Sequence, residues 1–314
     1  MTISSTTMVK EAKKRRRRVY LSRSWQLYLM LVPVVLFYAI FHFGAMPGLM
    51  MAFQDFRLAH GIAGSPFVGL AHFRRLFAST FFFNVVRNTL VLNLMNLVFF
   101  FPAPIILAIL LNEVRDGIFK RTSQSLMYLP HFFSWVVLAG MVIELLSPSR
   151  GIVNAILYRV TGETIHFMAS RAWWRFIFVG STIWKDVGWG SIIFLAAISG
   201  IDAELYEAAR MDGAGRIRQI WHITLPGIKA TIVILLILRL GSVFTVGVEQ
   251  VMMLSNIAVM DIADVIPTYT FRVGVQQGRF SITTAIGIFQ SVINMFLILS
   301  ANWIAKWSTG TSVI

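Results

Sequence analysis

The chain of 314 residues is 57% hydrophobic and 13% charged, with 28 Lys plus Arg against 14 Asp plus Glu and a formal charge of +14. A charged share about half the roughly 25% of an ordinary soluble domain excludes water as the only solvent of the fold. The absence of cysteine excludes disulfides, thiolate metal sites and cysteine nucleophiles.

Residues 1–24 form a basic segment whose block from Lys13 to Arg18 has the charge to meet RNA or anionic lipid. Standing directly before an apolar window, it reads instead as the determinant of a cytoplasmic N-terminus, and that window is too long for a cleaved signal peptide. The first window runs from Trp25 to Leu49, the second from Asn84 to Leu111 and the third from Ser123 to Leu146. Each is long enough to cross a hydrocarbon core of about 30 Å as a helix of about 20 residues. The second carries Asn93 and Asn96, three residues apart on one helical face, and the third carries Trp135. The fourth, Trp173 to Ser199, holds Trp184, Trp189 and the adjacent Lys185 and Asp186, which cannot share a face.

The cytoplasmic segment 204–225 follows. Glu204 to Met211 are good helix formers, Gly213 is placed to end that helix in a left-handed conformation, and Arg216 to Thr224 form a second short helix stopped before Pro226. Ala208, Ala209, Gly213 and Ala214 present almost no side chain, which lets another protein's backbone approach, with charges from Glu207, Arg210 and Asp212 at the rim. The same segment also fits an amphipathic helix resting Ile217, Ile220, Trp221 and Ile223 on lipid headgroups, and the residues alone leave both readings open.

The fifth window, Pro226 to Leu254, places Arg239, Ser242, Val246 and Glu249 on one helical stripe, and the sixth, Ser281 to Ile304, does the same for Thr283, Gly287, Gln290 and Asn294. At 1.5 Å per residue, Arg239 lies about 20 Å from Pro226, Lys185 about 18 Å from Trp173, and Asn93 and Gln290 about 14 Å from their outer ends. Asn93, Asn96, Lys185, Arg239, Ser242, Glu249, Gln290 and Asn294 are therefore the candidate lining of a translocation pathway. The amides alone also fit interhelical glue worth about 0.6 kcal/mol each. A mid-bilayer cation costs at least about 2.5 kcal/mol unless paired, and cations in the path suit a uronate-bearing solute.

Six crossings put 16 of the 28 Lys and Arg on the N-terminal side, which makes both termini cytoplasmic and explains the positive charge without nucleic acid. The expected fold is an all-α polytopic membrane protein with a transmembrane domain over 25–314. Its six histidines are scattered without H-E-x-x-H spacing, and no G-x-x-x-x-G-K-[ST] is present. No catalytic, metal or cofactor site is expected, and the chain does not hydrolyse ATP by itself.

Glu207-Ala208-Ala209, Asp212-Gly213-Ala214 and Ile223-Thr224-Leu225-Pro226 resemble the EAA motif of ABC importer permeases. Phe67 to Phe77, Leu129 to Trp135, and Ala263 to Ile266 with Thr268-Tyr269 are similar to the carbohydrate-uptake type 1 permeases, and Ser147 to Asn154 and Gly287 to Val292 resemble the branch that imports plant or algal polysaccharide fragments such as alginate oligosaccharides. Lys229-Ala230 and Val248 depart from that family's usual residues without touching the motif.

The resemblance implies a type I importer permease in a bacterial cytoplasmic (inner) membrane, moving acidic fragments of alginate or pectin type. It implies a second homologous permease, two ATPase subunits that bind ATP and Mg, and an extracytoplasmic solute-binding protein. Glu207, Ala208, Ala209, Asp212, Gly213 and Ala214 would then be the contact with the ATPase. A permease for a neutral sugar, glycoside or polyol phosphate, and a membrane sensor or scaffold, are the alternatives.

Overall fold

The computed structural model describes residues 25–309 except Thr245; the basic segment 1–24 and residues 310–314 lie outside the described residues. Among them are helices and no strand beyond a lone antiparallel bridge between Gln54 and Phe67. Three helices are continuous and apolar enough to cross a membrane, Trp25–Phe53, Thr80–Glu113 and Phe280–Trp303. Two more crossings are bent pairs, Ile118–Phe132 with Trp135–Leu145 and Arg216–Gly227 with Lys229–Leu240. The fourth expected span is the 29-residue helix Arg171–Ser199, which has the length, but its central Lys185 and Asp186 make it less apolar than the others.

The first crossing begins with α1 (Trp25–Phe37). It buries no residue in its own chain, whereas the segment Met46–Phe53 at its outer end buries Ala52 and packs on the last helix. The second crossing joins α2 (Thr80–Met95) to α3 (Pro102–Glu113) through a π turn at Asn96–Phe100. In an undisturbed helix the Pro102 ring would meet the carbonyl four residues back; the wider turn relieves that contact.

The third expected span is not one helix. α4 (Ile118–Tyr128) runs into a short 3-10 turn, Leu129–Phe132, and the chain bends by 105° before α5 (Trp135–Leu145). Pro130 removes a backbone donor, and Ser134 starts the new helix by accepting a hydrogen bond from the Val137 amide. A short outer helix, α6 (Ile152–Thr161), is pinned by buried Asn154, whose amide donates to the carbonyls of Leu146, Ser147 and Ile165 and whose Oδ1 accepts from the Ile165 amide.

α7 (Arg171–Ser199) is the central rod. It packs against α3 and α4, and it approaches them closely because Gly188 lies against the Met127 backbone and Gly190 against the Pro104 ring. Trp174 on α7 is fully buried, stacked on Phe178 and donating to the Leu254 carbonyl. After a gap of three residues α7 is followed by α8 (Ala203–Met211), and α9 (Arg216–Gln219) continues through a π turn, Ile220–Thr224, into Leu225–Gly227. Contrary to the expectation of a stop before Pro226, the helix passes through it. The π turn absorbs the proline, and the 59° bend comes one residue past Gly227.

The fifth expected span also breaks. α10 (Lys229–Leu240) ends at Gly241, the described residues from there to Gly247 are non-helical, and α11 (Val248–Leu254) starts afresh. Irregular backbone at this depth is tolerated where protein buries it or a cavity faces it. The last helix, α12 (Phe280–Thr309), is continuous. Between α11 and α12 the buried Asp264 carboxylate pairs with Arg272 at 2.5 Å and accepts from Thr268, and Asn88 of α2 donates to the carbonyls of Asp261 and Asp264. These bonds tie this segment to the second crossing.

Candidate functional site

The π turn of the second crossing and the breaks of the third and fifth meet around one cavity of about 340 Å³ beside α7. Its lining includes Asn93, Asn96 and Phe100 from the π-turn crossing, His131 and Trp135 from the 105° bend, and Thr182, Asp186 and Trp189 from α7. Arg239, Val246, Gly247 and Gln250 come from the fifth crossing.

Polar groups of different readiness face this space. Gln250 is consumed by the protein, donating to the Phe178 carbonyl and the Thr182 hydroxyl, both at 2.9 Å. Asn93 donates to the Thr89 carbonyl, whereas the buried Asn96 Oδ1 has no hydrogen-bond partner. Arg239 rests 5.5 Å over the Phe100 ring and forms no ion pair among the described residues. The His131 ring stacks on Trp189, with centroids 4.6 Å apart and planes 3° apart, and its Nδ1 meets Asp186 Oδ1 at 2.8 Å. The cavity thus offers a guanidinium without an ion pair, aromatic surface and a carboxylate held by a histidine.

Of the expected pathway residues, the structure brings Asn93, Asn96 and Arg239 together and sends the others elsewhere. Lys185 points to the broken third crossing, where its ammonium donates to the carbonyls of His131 at 2.9 Å and Phe133 at 2.5 Å and lies 5.5 Å from the Trp135 ring centroid. These carbonyls have lost helical partners at the bend, so the lysine caps a helix end. Ser242 bonds back to the Arg239 carbonyl, and Gln290 donates to the Phe244 carbonyl in the unwound stretch.

Asn294 keeps a buried Oδ1 without a partner but lies outside the cavity lining. Glu249 is exposed: the stripe that joined it to Arg239 does not exist, because the helix ends at Leu240 and its phase is lost before Val248. Gln250 faces the cavity in its place. His131, Asp186, Trp189 and Gln250 are the lining residues that spacing did not select; the adjacency of Pro130 to His131 was the available signal of a break.

In the loop between the fourth and fifth crossings, α8 is capped by Asp202, whose carboxylate accepts from the Glu204 amide. It ends as expected at Gly213, with φ of +75° and the Ala214 amide returning to the Ala209 carbonyl. The hydroxyls of Tyr206 and Thr224 bond at 2.9 Å, and Gln219 donates to the Ala214 carbonyl, so the two helices form one rigid unit. Glu207, Ala208, Asp212 and Gly213 are exposed, Ala209 and Ala214 half-buried, and Met211 and Ile217 project beside them with 89% and 74% exposure.

A family model described as the binding-protein-dependent transport system inner membrane component matches residues 76–309. The polygalacturonan/rhamnogalacturonan transport system permease protein YteP of Bacillus subtilis is 44% identical over 297 residues, covering 95% of this chain and 92% of that protein. Protein LplB of the same organism is 45% identical over 286 residues, covering 91% and 90%. A chain in the crystal structure of a bacterial ABC transporter involved in import of the acidic polysaccharide alginate superposes with a TM-score of 0.86 at 41% identity, covering 94% of this chain and 99% of that one.

Proposed function

This chain belongs to the family of binding-protein-dependent transport system inner membrane components, as a permease subunit of an ABC importer for polysaccharide fragments, and from that premise we propose that its solute is an acidic oligosaccharide of alginate or pectin type. The observation that carries this reading is Arg239, a guanidinium without an ion pair among the described residues, in a polar cavity where the π turn of the second crossing meets the breaks of the third and fifth. Guanidinium is the side-chain group best matched to a planar carboxylate, and Trp189 supplies aromatic surface for a sugar ring in the same cavity. The polygalacturonan/rhamnogalacturonan permease YteP and the alginate importer, both similar to this chain, support the same chemistry.

The chain supplies the path and its partners the energy. ATP and Mg are bound by two ATPase subunits, and an extracytoplasmic binding protein delivers the solute, as in the related alginate importer whose structure contains an alginate pentasaccharide-bound periplasmic protein. α1, which buries nothing in its own chain, is available to a second permease subunit. The α8 surface of Glu207, Ala208, Ala209, Asp212, Gly213 and Ala214 docks the ATPase, with both termini cytoplasmic. α7 continues into α8 with a gap of only Gly200 to Asp202, so movement of the docked loop pulls on the rod that carries Asp186 and Trp189.

The test is Arg239→Ala in the reconstituted complex, comparing an alginate or polygalacturonate oligosaccharide with the same fragment after carboxyl reduction. Response to the acidic fragment should fall on the order of tenfold, as for loss of a charge-assisted hydrogen bond, with little change for the reduced one. Equal losses would assign Arg239 a structural role.

A further inference from the structure

A cavity that admits a carboxylate should not itself present one, yet Asp186 lines it together with Arg239. A free aspartate sharing so small a space with an unpaired guanidinium would pair with it, since an ion pair with satisfied hydrogen bonds is favoured over two isolated charges away from water. The two do not pair in this structure. Asp186 Oδ1 meets His131 Nδ1 at 2.8 Å instead.

The histidine is held in that position from three sides. Its ring lies flat on Trp189, its backbone carbonyl accepts from Lys185, and it follows Pro130 in the 3-10 turn that makes the 105° bend. The charged and titratable groups about the pair are Lys185, directed at backbone carbonyls, and Arg239 across the cavity.

We propose that His131 is a specificity-determining positioning residue: by holding Asp186, it keeps Arg239 open for the carboxylate of an acidic sugar. The assignment rests on the acidic-oligosaccharide reading of this cavity. Without the His131 contact, Asp186 turns to Arg239, fills the anion position from within and leaves a site that no longer prefers a charged fragment. Removing the Asp186 charge as well makes the histidine dispensable for that preference.

The experiment uses the complete complex in lipid nanodiscs, with binding protein and a uronate oligosaccharide or its carboxyl-reduced counterpart, and reads the concentration of each that half-maximally stimulates ATP hydrolysis. His131→Phe keeps a flat ring for Trp189 and loses the nitrogen. It should reduce the preference for the acidic fragment on the order of tenfold, the size expected of a charge-assisted hydrogen bond to the solute.

The double variant His131→Phe with Asp186→Asn should recover that preference, a rescue that a merely structural role for His131 would not give. His131→Phe acting equally on both fragments, or a double variant no better than His131→Phe, would overturn the assignment while leaving the acidic-solute reading intact. A wild-type complex that answers the reduced fragment better than the acidic one would overturn that reading and this assignment with it.

Discussion

Replacing Lys185 with Met separates two roles for a cation in mid-membrane. Its ammonium satisfies the carbonyls of His131 and Phe133 and sits 5.5 Å from the Trp135 ring centroid. A hydrogen bond from a charged donor contributes about 1.5–3 kcal/mol. The contact at Phe133 is exposed and that at His131 only partly buried, so the pair is worth about 2–3 kcal/mol at the lower end of that range, with about 0.5 kcal/mol more from the cation–π contact.

Lys185→Met should therefore lower the thermal midpoint of the detergent-solubilised complex by several degrees, while Lys185→Arg, which retains donors, loses less. Because the lysine caps a helix end, the response ratio for acidic over carboxyl-reduced fragment should change much less than with Arg239→Ala. Unchanged thermal stability together with loss of the acidic preference would refute the capping assignment and make Lys185 a solute contact.

Other perturbations test the elements around the cavity and the loop. A Cβ at Gly188 would come within 2.5 Å of the Met127 carbonyl carbon, so Gly188→Ala should push α7 from α4, cost about 1–3 kcal/mol in stability and reduce uptake through the displaced His131. Asn154→Ala strips four hydrogen bonds from a buried pin; a loss of about 2–4 kcal/mol should show as faster proteolysis of the outer segment 146–167. At Gly213 a Cβ meets nothing within 4 Å, so Gly213→Val is penalised only by its φ of +75°, by about 1–2 kcal/mol. Its effect should appear as reduced ATPase retention on purification, as should that of Glu207→Arg.

The sequence carried the membrane class and the helix–turn–helix form of the loop 204–225 because both rest on local rules. A run of apolar residues needs no partner to be recognised, and a glycine after a helix-forming stretch announces its left-handed end, as Gly213 shows. Asn93, Asn96 and Arg239 were legible as cavity residues because polar groups at bilayer depth must face protein or water.

What failed was helical phase across breaks. Gly241 and Gly247 bracket an unwound stretch that turns Glu249 away and brings Gln250 in, and nothing local distinguishes them from glycines that helices tolerate. Pro226 invited a stop that a π turn cancelled, whereas Pro130 produced a break that let a distant lysine become a cap. The His131–Asp186 pair, 55 residues apart in the chain, depends on that break and on the close passage of Gly188, both tertiary facts.

The most direct test of the account expresses this chain with its partner permease and ATPase subunits, purifies the complex through this chain, and measures ATP hydrolysis with the binding protein and acidic or carboxyl-reduced oligosaccharides. The account predicts that the ATPase is retained and that hydrolysis rises most with the acidic fragment. Failure to retain an ATPase, or stimulation indifferent to the carboxylate, would contradict it.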